Sequence, residues 1–182
     1  KNAITGVTLN LTNADVAKTT TIKIEQDNEA VKTNVQAFVD AYNSLVTAID
    51  KMSAYDKDKK TAAALQGDSM IRSIESQLRS VASGRVPTAD GGSIALYDIG
   101  IKTDRYGKLS VDDTKLNKAL TEDMPSVEAL FATPDKGLAN RFNDLANSYV
   151  KSTGLIADRQ SSYTSQQSRL ADQRAAFTLK MD

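Results

Sequence analysis

Apolar residues in this chain repeat at two different periods, and the change from one to the other divides it. Residues 4–11 put Val7, Leu9 and Leu11 on one side and Thr8, Asn10 and Thr12 on the other, the period of two of a half-buried strand. Residues 20–25 alternate Ile22 and Ile24 with Thr21, Lys23 and Glu25 in the same way. A lone hairpin is marginal in water. These strands are therefore expected to end a β-rich domain whose other strands precede Lys1, and the chain to be a piece of something longer. At Asp27 the period changes. Asp27 and Asn28 offer N-cap oxygens, and Val31, Val35, Phe38, Tyr42, Leu45, Ile49 and Met52 follow at spacings of 4-3-4-3-4-3. That strict 3.5 repeat predicts a long helix in coiled-coil-like packing. Val39 and Val46 widen the stripe, so the helix is expected to meet more than one neighbour, either as the core of a bundle or as a seam shared between subunits.

The charged run YDKDKK at 55–60 reads as a solvated helix-to-helix turn. A second helix, expected antiparallel to the first, starts with Asp68 as N-cap, carries Ile71, Ile74, Leu78 and Val81, and stops at Gly84. RVPTADGGS at 85–93 reads as a surface loop. The most specific stretch follows, LYDIGIKTDRYGKLSVDDTKLNKAL at 96–120. It pairs Ile99 and Ile101 on one strand with Leu109 and Val111 on the next, around a turn in which Gly107 supplies the positive φ of a type I turn with a bulge. Asp112 or Asp113 then caps a helix carrying Leu116, Ala119 and Leu120.

Met124-Pro125-Ser126 opens a short helix with Val127, Leu130 and Phe131 facing inward, closed by a turn at 133–137. A helix over 138–152 repeats the seam with Leu138, Phe142, Leu145 and Tyr149, and Gly154 ends it. The last helix differs. Ile156, Tyr163, Leu170 and Phe177 recur every seven residues, but the companion places hold Gln160, Gln167 and Arg174. One apolar residue per heptad is half a seam, which predicts a helix packed on one narrow ridge, as a bundle edge or as part of a lumen or subunit contact. The expected fold class is α+β, mainly α: an antiparallel helical bundle over 27–182 with a small β-hairpin at 96–111, preceded by strands in 1–26.

Composition narrows what such a fold can do. Its 182 residues suffice for a real core, burying roughly 70% of the unfolded surface, and with 5% aromatic residues and no Trp that core is aliphatic. Lys plus Arg and Asp plus Glu balance at 23 each, so no net field draws nucleic acid or an anionic membrane, and neither is expected as a partner. No run approaches the ~20 apolar residues of a membrane span, and no stretch reads as a signal peptide. The chain has no Cys, which excludes disulfides and thiolate metal sites and suits a protein exported unfolded. It has no His either, which removes the commonest general base and metal ligand and with it a serine triad.

The carboxylate pairs Asp112-Asp113 and Glu122-Asp123 fall at helix ends, where capping explains them. Gly100, Gly107 and Lys108 have the wrong spacing for a phosphate loop. Asn10-Leu11-Thr12 is a formal glycosylation sequon inside a strand pattern and reads as chance. No catalytic, cofactor-binding or metal-ligating residue is assigned, no cofactor is expected, and the protein is not expected to be an enzyme.

With these elements in order, the chain resembles the C-terminal region of the flagellar hook-associated protein 2 family, the filament cap. The likeness is carried by ITGVTLNL at 4–11, TIKIEQD at 21–27, VQAFVDAYNSLV at 35–46, ALQGDSMIRSIESQLR at 64–79 and the stretch at 96–120, continued by SVEALF at 126–131 and GLANRFN at 137–143. The resemblance implies β-rich head domains inserted within a helical leg, with the two chain ends forming a coiled-coil foot. Residues 1–26 would then end the head, and 27–182 would be the leg. It also implies an extracellular protein at the flagellum tip, exported by the flagellar type III pathway, that self-associates into a ring-like cap and promotes flagellin polymerisation. Implied partners are flagellin, the hook-filament junction proteins and an export chaperone acting on a segment beyond Asp182. Some members attach to mucins, so a mucin or glycan adhesin is one alternative; flagellin or a junction protein, with a similar helical leg, is another. Tyr163, Leu170 and Phe177, with Gln167 and Arg174 as polar companions, are the expected contacts to a second subunit or to flagellin, unless they pack inside their own subunit.

Overall fold

The structure is a computed structural model that describes residues 21, 26–58 and 60–181. The strands expected over 4–11 and 20–25, Thr21 aside, and the sequon at Asn10 lie outside the described residues. Helix α1 spans Asn28–Ser53 and begins where Asp27 accepts a hydrogen bond from the Ala30 N–H at 2.9 Å, satisfying a donor that helix geometry leaves free. Its buried residues are Val35, Val39, Tyr42, Val46 and Ile49. The 3.5 repeat is kept but rotated. Val39 and Val46, expected at the flank, form its centre, whereas Leu45 and Met52, expected in the seam, are exposed. The reason is tertiary, because α1 is enclosed by α2 (Ser69–Ser83), α3 (Asp113–Glu122) and strand β6 (Leu109–Val111), and such a helix buries what faces all its neighbours. Val31 and Phe38 remain half-buried, Phe38 meeting Phe131 and Phe142 at centroid distances of 5.6 and 5.5 Å.

Among the described residues three short antiparallel strand pairs interrupt the helices. The expected turn at 55–60 is a hairpin, β1 (Tyr55–Asp56) on β2 (Thr61–Ala62), because the Asp56 carboxylate accepts the Asp58 N–H at 3.0 Å and tightens its tip. Helix α2, Ser69–Ser83, lies between Asp68 and Gly84 as expected, with Asp68 accepting from the N–H groups of Met70 and Ile71. The stretch expected as a surface loop at 85–93 instead forms β3 (Val86–Pro87) paired with β4 (Ser93–Ile94). Val86 and Ile94 are buried and pull both arms down onto α4 (Met124–Ala132), leaving only the Gly-rich tip as loop.

Leu96–Ile99, expected to enter a strand, is a turn of 3-10 helix. Asp98 accepts the Ala95 N–H at 2.9 Å, and Gly100 takes φ +90, a conformation costly for any residue with a Cβ. That reversal keeps both Ile99 and Ile101 buried, although they no longer share a strand. Strands β5 (Ile101–Thr103) and β6 (Leu109–Val111) then pair in the register Thr103↔Leu109, and Gly107 at φ +86 turns the tip as expected. Across the far edge of β6 lies Asn43 of α1. Its amide donates to the Leu109 carbonyl at 2.8 Å and accepts the Leu109 N–H at 2.7 Å, binding the hairpin to the helix as a further strand would.

Asp112 caps α3 (Asp113–Glu122), while Asp113 forms an ion pair with Lys32 of α1 at 2.9 Å. Asp123 caps α4 (Met124–Ala132), with Pro125 in its first turn. Helix α5 covers Leu138–Val150, ending two residues short of the expected 152, and α6 covers Leu155–Met181. Leu116, Leu130 and Leu138 are fully buried between these elements. Among the described residues the architecture is a mainly helical body with three small strand pairs, the expected α+β class, with more hairpins than the single one expected at 96–111.

Candidate interaction surface

Helix α6 is the exception to this packing. Its 27 residues make a rod of about 40 Å at 1.5 Å per residue. None of them is buried, and every described residue from 160 on is exposed. Ile156, Tyr163, Leu170 and Phe177 are 45%, 52%, 64% and 68% exposed, rising in order as the helix leaves the body. Of the places expected for its narrow ridge, the described residues show the helix at the edge of the body, where α5 lies against it.

Residues seven apart stay on nearly one face of a helix. Tyr163, Gln167, Leu170, Arg174 and Phe177, at spacings of 4-3-4-3, thus form one strip, apolar side chains alternating with polar ones. The structure brings all five sequence-predicted contact residues onto one exposed face, and none of them is buried against the body.

The base of α6 is defined in detail. Gly154 is buried, and a Cβ there would stand 2.7 Å from the Tyr149 carbonyl oxygen, so the chain can double back this tightly only with glycine. One turn on, Arg159 donates through Nη1 to Oδ1 of Asp68 at 2.8 Å and through Nη2 to Oδ2. Its Nε donates to the Tyr163 hydroxyl at 3.1 Å. The Arg159 hydrogen bonds, helped by those from the Met70 and Ile71 N–H groups, hold the Asp68 carboxyl below the usual carboxylate range against its partial burial. Beside this pair opens a groove of about 490 Å³ lined by Leu65, Met70, Ile71, Ile156 and Tyr163. A second, apolar groove of about 590 Å³ runs between α1 and α4, past Ala30, Val31, Phe38, Met124 and Phe131.

The paired carboxylates are engaged structurally. Asp112 and Asp123 cap helices, Asp113 pairs with Lys32, and Glu122 lies 3.8 Å from Lys118. Among the described residues no group of three or more metal-ligating side chains is gathered, and no described helix is long and apolar enough to cross a membrane. The Asp68–Arg159 pair escaped sequence reasoning. Its partners are 91 residues apart, and the only local sign is a Tyr one helical turn after an Arg.

Comparison with known proteins places these features. The sequence profile described as "Flagellar hook-associated protein 2 C-terminus" matches residues 1–182. Over 185 aligned residues the chain is 33% identical to the lateral flagellar hook-associated protein 2 of Vibrio parahaemolyticus, covering 100% of this chain and 40% of that one. It is 38% identical over 162 residues to the A-type flagellar hook-associated protein 2 of Pseudomonas aeruginosa, covering 86% and 33%. Among solved structures it is similar to the crystal structure of the flagellar cap protein FliD D1-D2-D3 domains from Escherichia coli, with a TM-score of 0.66 and 32% identity over 76% of this chain and 37% of that one. The chain thus spans well under half the length of these relatives.

Proposed function

Because the chain belongs to the flagellar hook-associated protein 2 family and corresponds to its C-terminal region, we propose that it is the leg of a flagellar filament cap, acting by contact rather than by bond chemistry. In this reading residues 1–26 end a head domain and 27–182 form the leg. The full-length protein, exported to the flagellum tip, self-associates into a cap and promotes flagellin polymerisation, alongside the hook-filament junction proteins. An export chaperone would act through a segment beyond Asp182.

The observation that carries the reading is the exposed strip on α6. A 27-residue helix with no buried residue and an apolar side chain every second turn has a face to offer, and Tyr163, Gln167, Leu170, Arg174 and Phe177 are the contacts it offers. Alternation of polar with apolar residues suits an interface that must form and release repeatedly, since a fully apolar seam resembles a domain core cut in half.

The test is to replace Leu170 and Phe177 by Ser in the full-length protein. Lower oligomer mass with an unchanged melting temperature is expected; an unaltered oligomer mass overturns the contact assignment. Deletion of the parent gene tests the wider reading. It should give short or absent filaments with flagellin released into the medium, and normal filaments would refute a cap.

A further inference from the structure

We propose that Asp68, Arg159 and Tyr163 form a clasp that sets the direction in which α6 leaves the body, and that opening it lets the helix swing about Gly154. This rests on geometry and not on the cap reading.

A helix embedded in a core is aimed by many apolar contacts; among the described residues α6 has none that is buried, and the groove between its first turns and α2 stays open at about 490 Å³. What crosses that groove is a two-pronged ion pair. Bidentate guanidinium–carboxylate contacts are directional, because two parallel hydrogen bonds fix the angle as well as the distance. Both ends are anchored. Asp68 is held by the N–H groups of Met70 and Ile71, so its carboxylate belongs to the rigid start of α2. Arg159 is held from the following turn by the Tyr163 hydroxyl, with its guanidinium 5.5 Å from the ring centroid. The pair is also sheltered, with side-chain exposures of 32% for Arg159 and 12% for Asp68.

Leverage makes the clasp matter. Met181 lies 27 residues beyond the Gly154 pivot, about 40 Å along the helix, so a tilt of roughly 15° moves the tip by roughly 10 Å. The strip Tyr163–Leu170–Phe177 moves with it. The clasp therefore sets where that strip is presented.

Distance measurements between spin labels test this in the full-length protein, with cysteines introduced at Ser44 in α1 and Ser168 in α6 and labelled molecules diluted in unlabelled ones. The parent should give one narrow distribution. Arg159→Met keeps the aliphatic stem and removes the fork, and should broaden it about twofold. Asp68→Asn keeps an oxygen for the Met70 and Ile71 N–H groups and should do the same, with Arg159→Lys in between. A control pair at Ser44 and Ser80, both in the body, should stay narrow in all variants. The proposal is overturned if the Arg159→Met distribution superimposes on that of the parent. It is equally overturned if only Asp68→Asn broadens it, or if the control pair broadens as much.

Discussion

Helices α1 and α6 are nearly equal in length, 26 and 27 residues, and both repeat apolar residues with a heptad period, yet α1 buries five residues and α6 none. The second apolar place in each heptad makes the difference. In α1 the companions of Val35, Tyr42 and Ile49 are Val39 and Val46, and two apolar rows give a surface that neighbouring elements can cover. In α6 the companions of Tyr163 and Leu170 are Gln167 and Arg174. Covering them with the chain's own apolar elements would bury an amide and a charge without partners, at a cost of several kcal/mol. One helix is therefore held by its own body, and the other is held at its base and offered to whatever lies outside.

The sharpest way to break this contrast is to truncate one leucine on each side. Leu116→Ala, at a fully buried position of α3 against α1, should lower stability by about 2–5 kcal/mol. Leu170→Ala in α6 should change it by less than about 0.5 kcal/mol. Chemical denaturation of the two variants decides, and equal losses would mean that α6 packs on its own body after all. Asn43→Ala comes next. It removes the two hydrogen bonds to Leu109 and leaves that backbone pair unmet, a loss of about 1–3 kcal/mol with faster amide exchange at Leu109.

Gly107→Ala should follow at about 1 kcal/mol, since φ +86 disfavours any Cβ and the added carbon would stand 2.8 Å from the Arg79 guanidinium. The smallest effect is a dependence on acid. Because the folded state depresses the Asp68 pKa, the stabilisation is present above the unfolded carboxylate pKa and is lost as pH falls through the lower folded value. Melting temperature should hold near neutrality and drop in that acidic window. Arg159→Met should shrink the drop, and an equal drop in the variant would assign it to other carboxylates.

What could be read in the sequence was local. The caps at Asp27, Asp68, Asp112 and Asp123 and the turn at Gly107 depend on residues within four positions of each other, and each stands where the pattern put it, with Asn28, Asp113 and Glu122 as the neighbours it had left open. What could not be read depends on distant neighbours. Val39 and Val46 displace Leu45 and Met52 because of where α2, α3 and β6 come to lie. Val86 turns a Pro- and Gly-rich loop into a hairpin because α4 waits beneath it. Asn43 and Leu109 are 66 positions apart, and Asp68 and Arg159 are 91. At the candidate surface the spacing showed which residues share a face, but periodicity alone left packing and partner contact equally open. In the structure all five stand exposed, Tyr163 and Gln167 at the edge of the groove beside Leu65 and Ile71.

The amide of Asn43 has one more effect. A short strand at the rim of a two-stranded sheet presents free N–H and C=O groups, an invitation for another chain to add itself by backbone pairing. On β6 the outward groups of Leu109 are already taken by a side chain of the same molecule. For a protein proposed to work crowded among copies of itself, that occupied backbone pair removes one foothold for indiscriminate strand addition on β6.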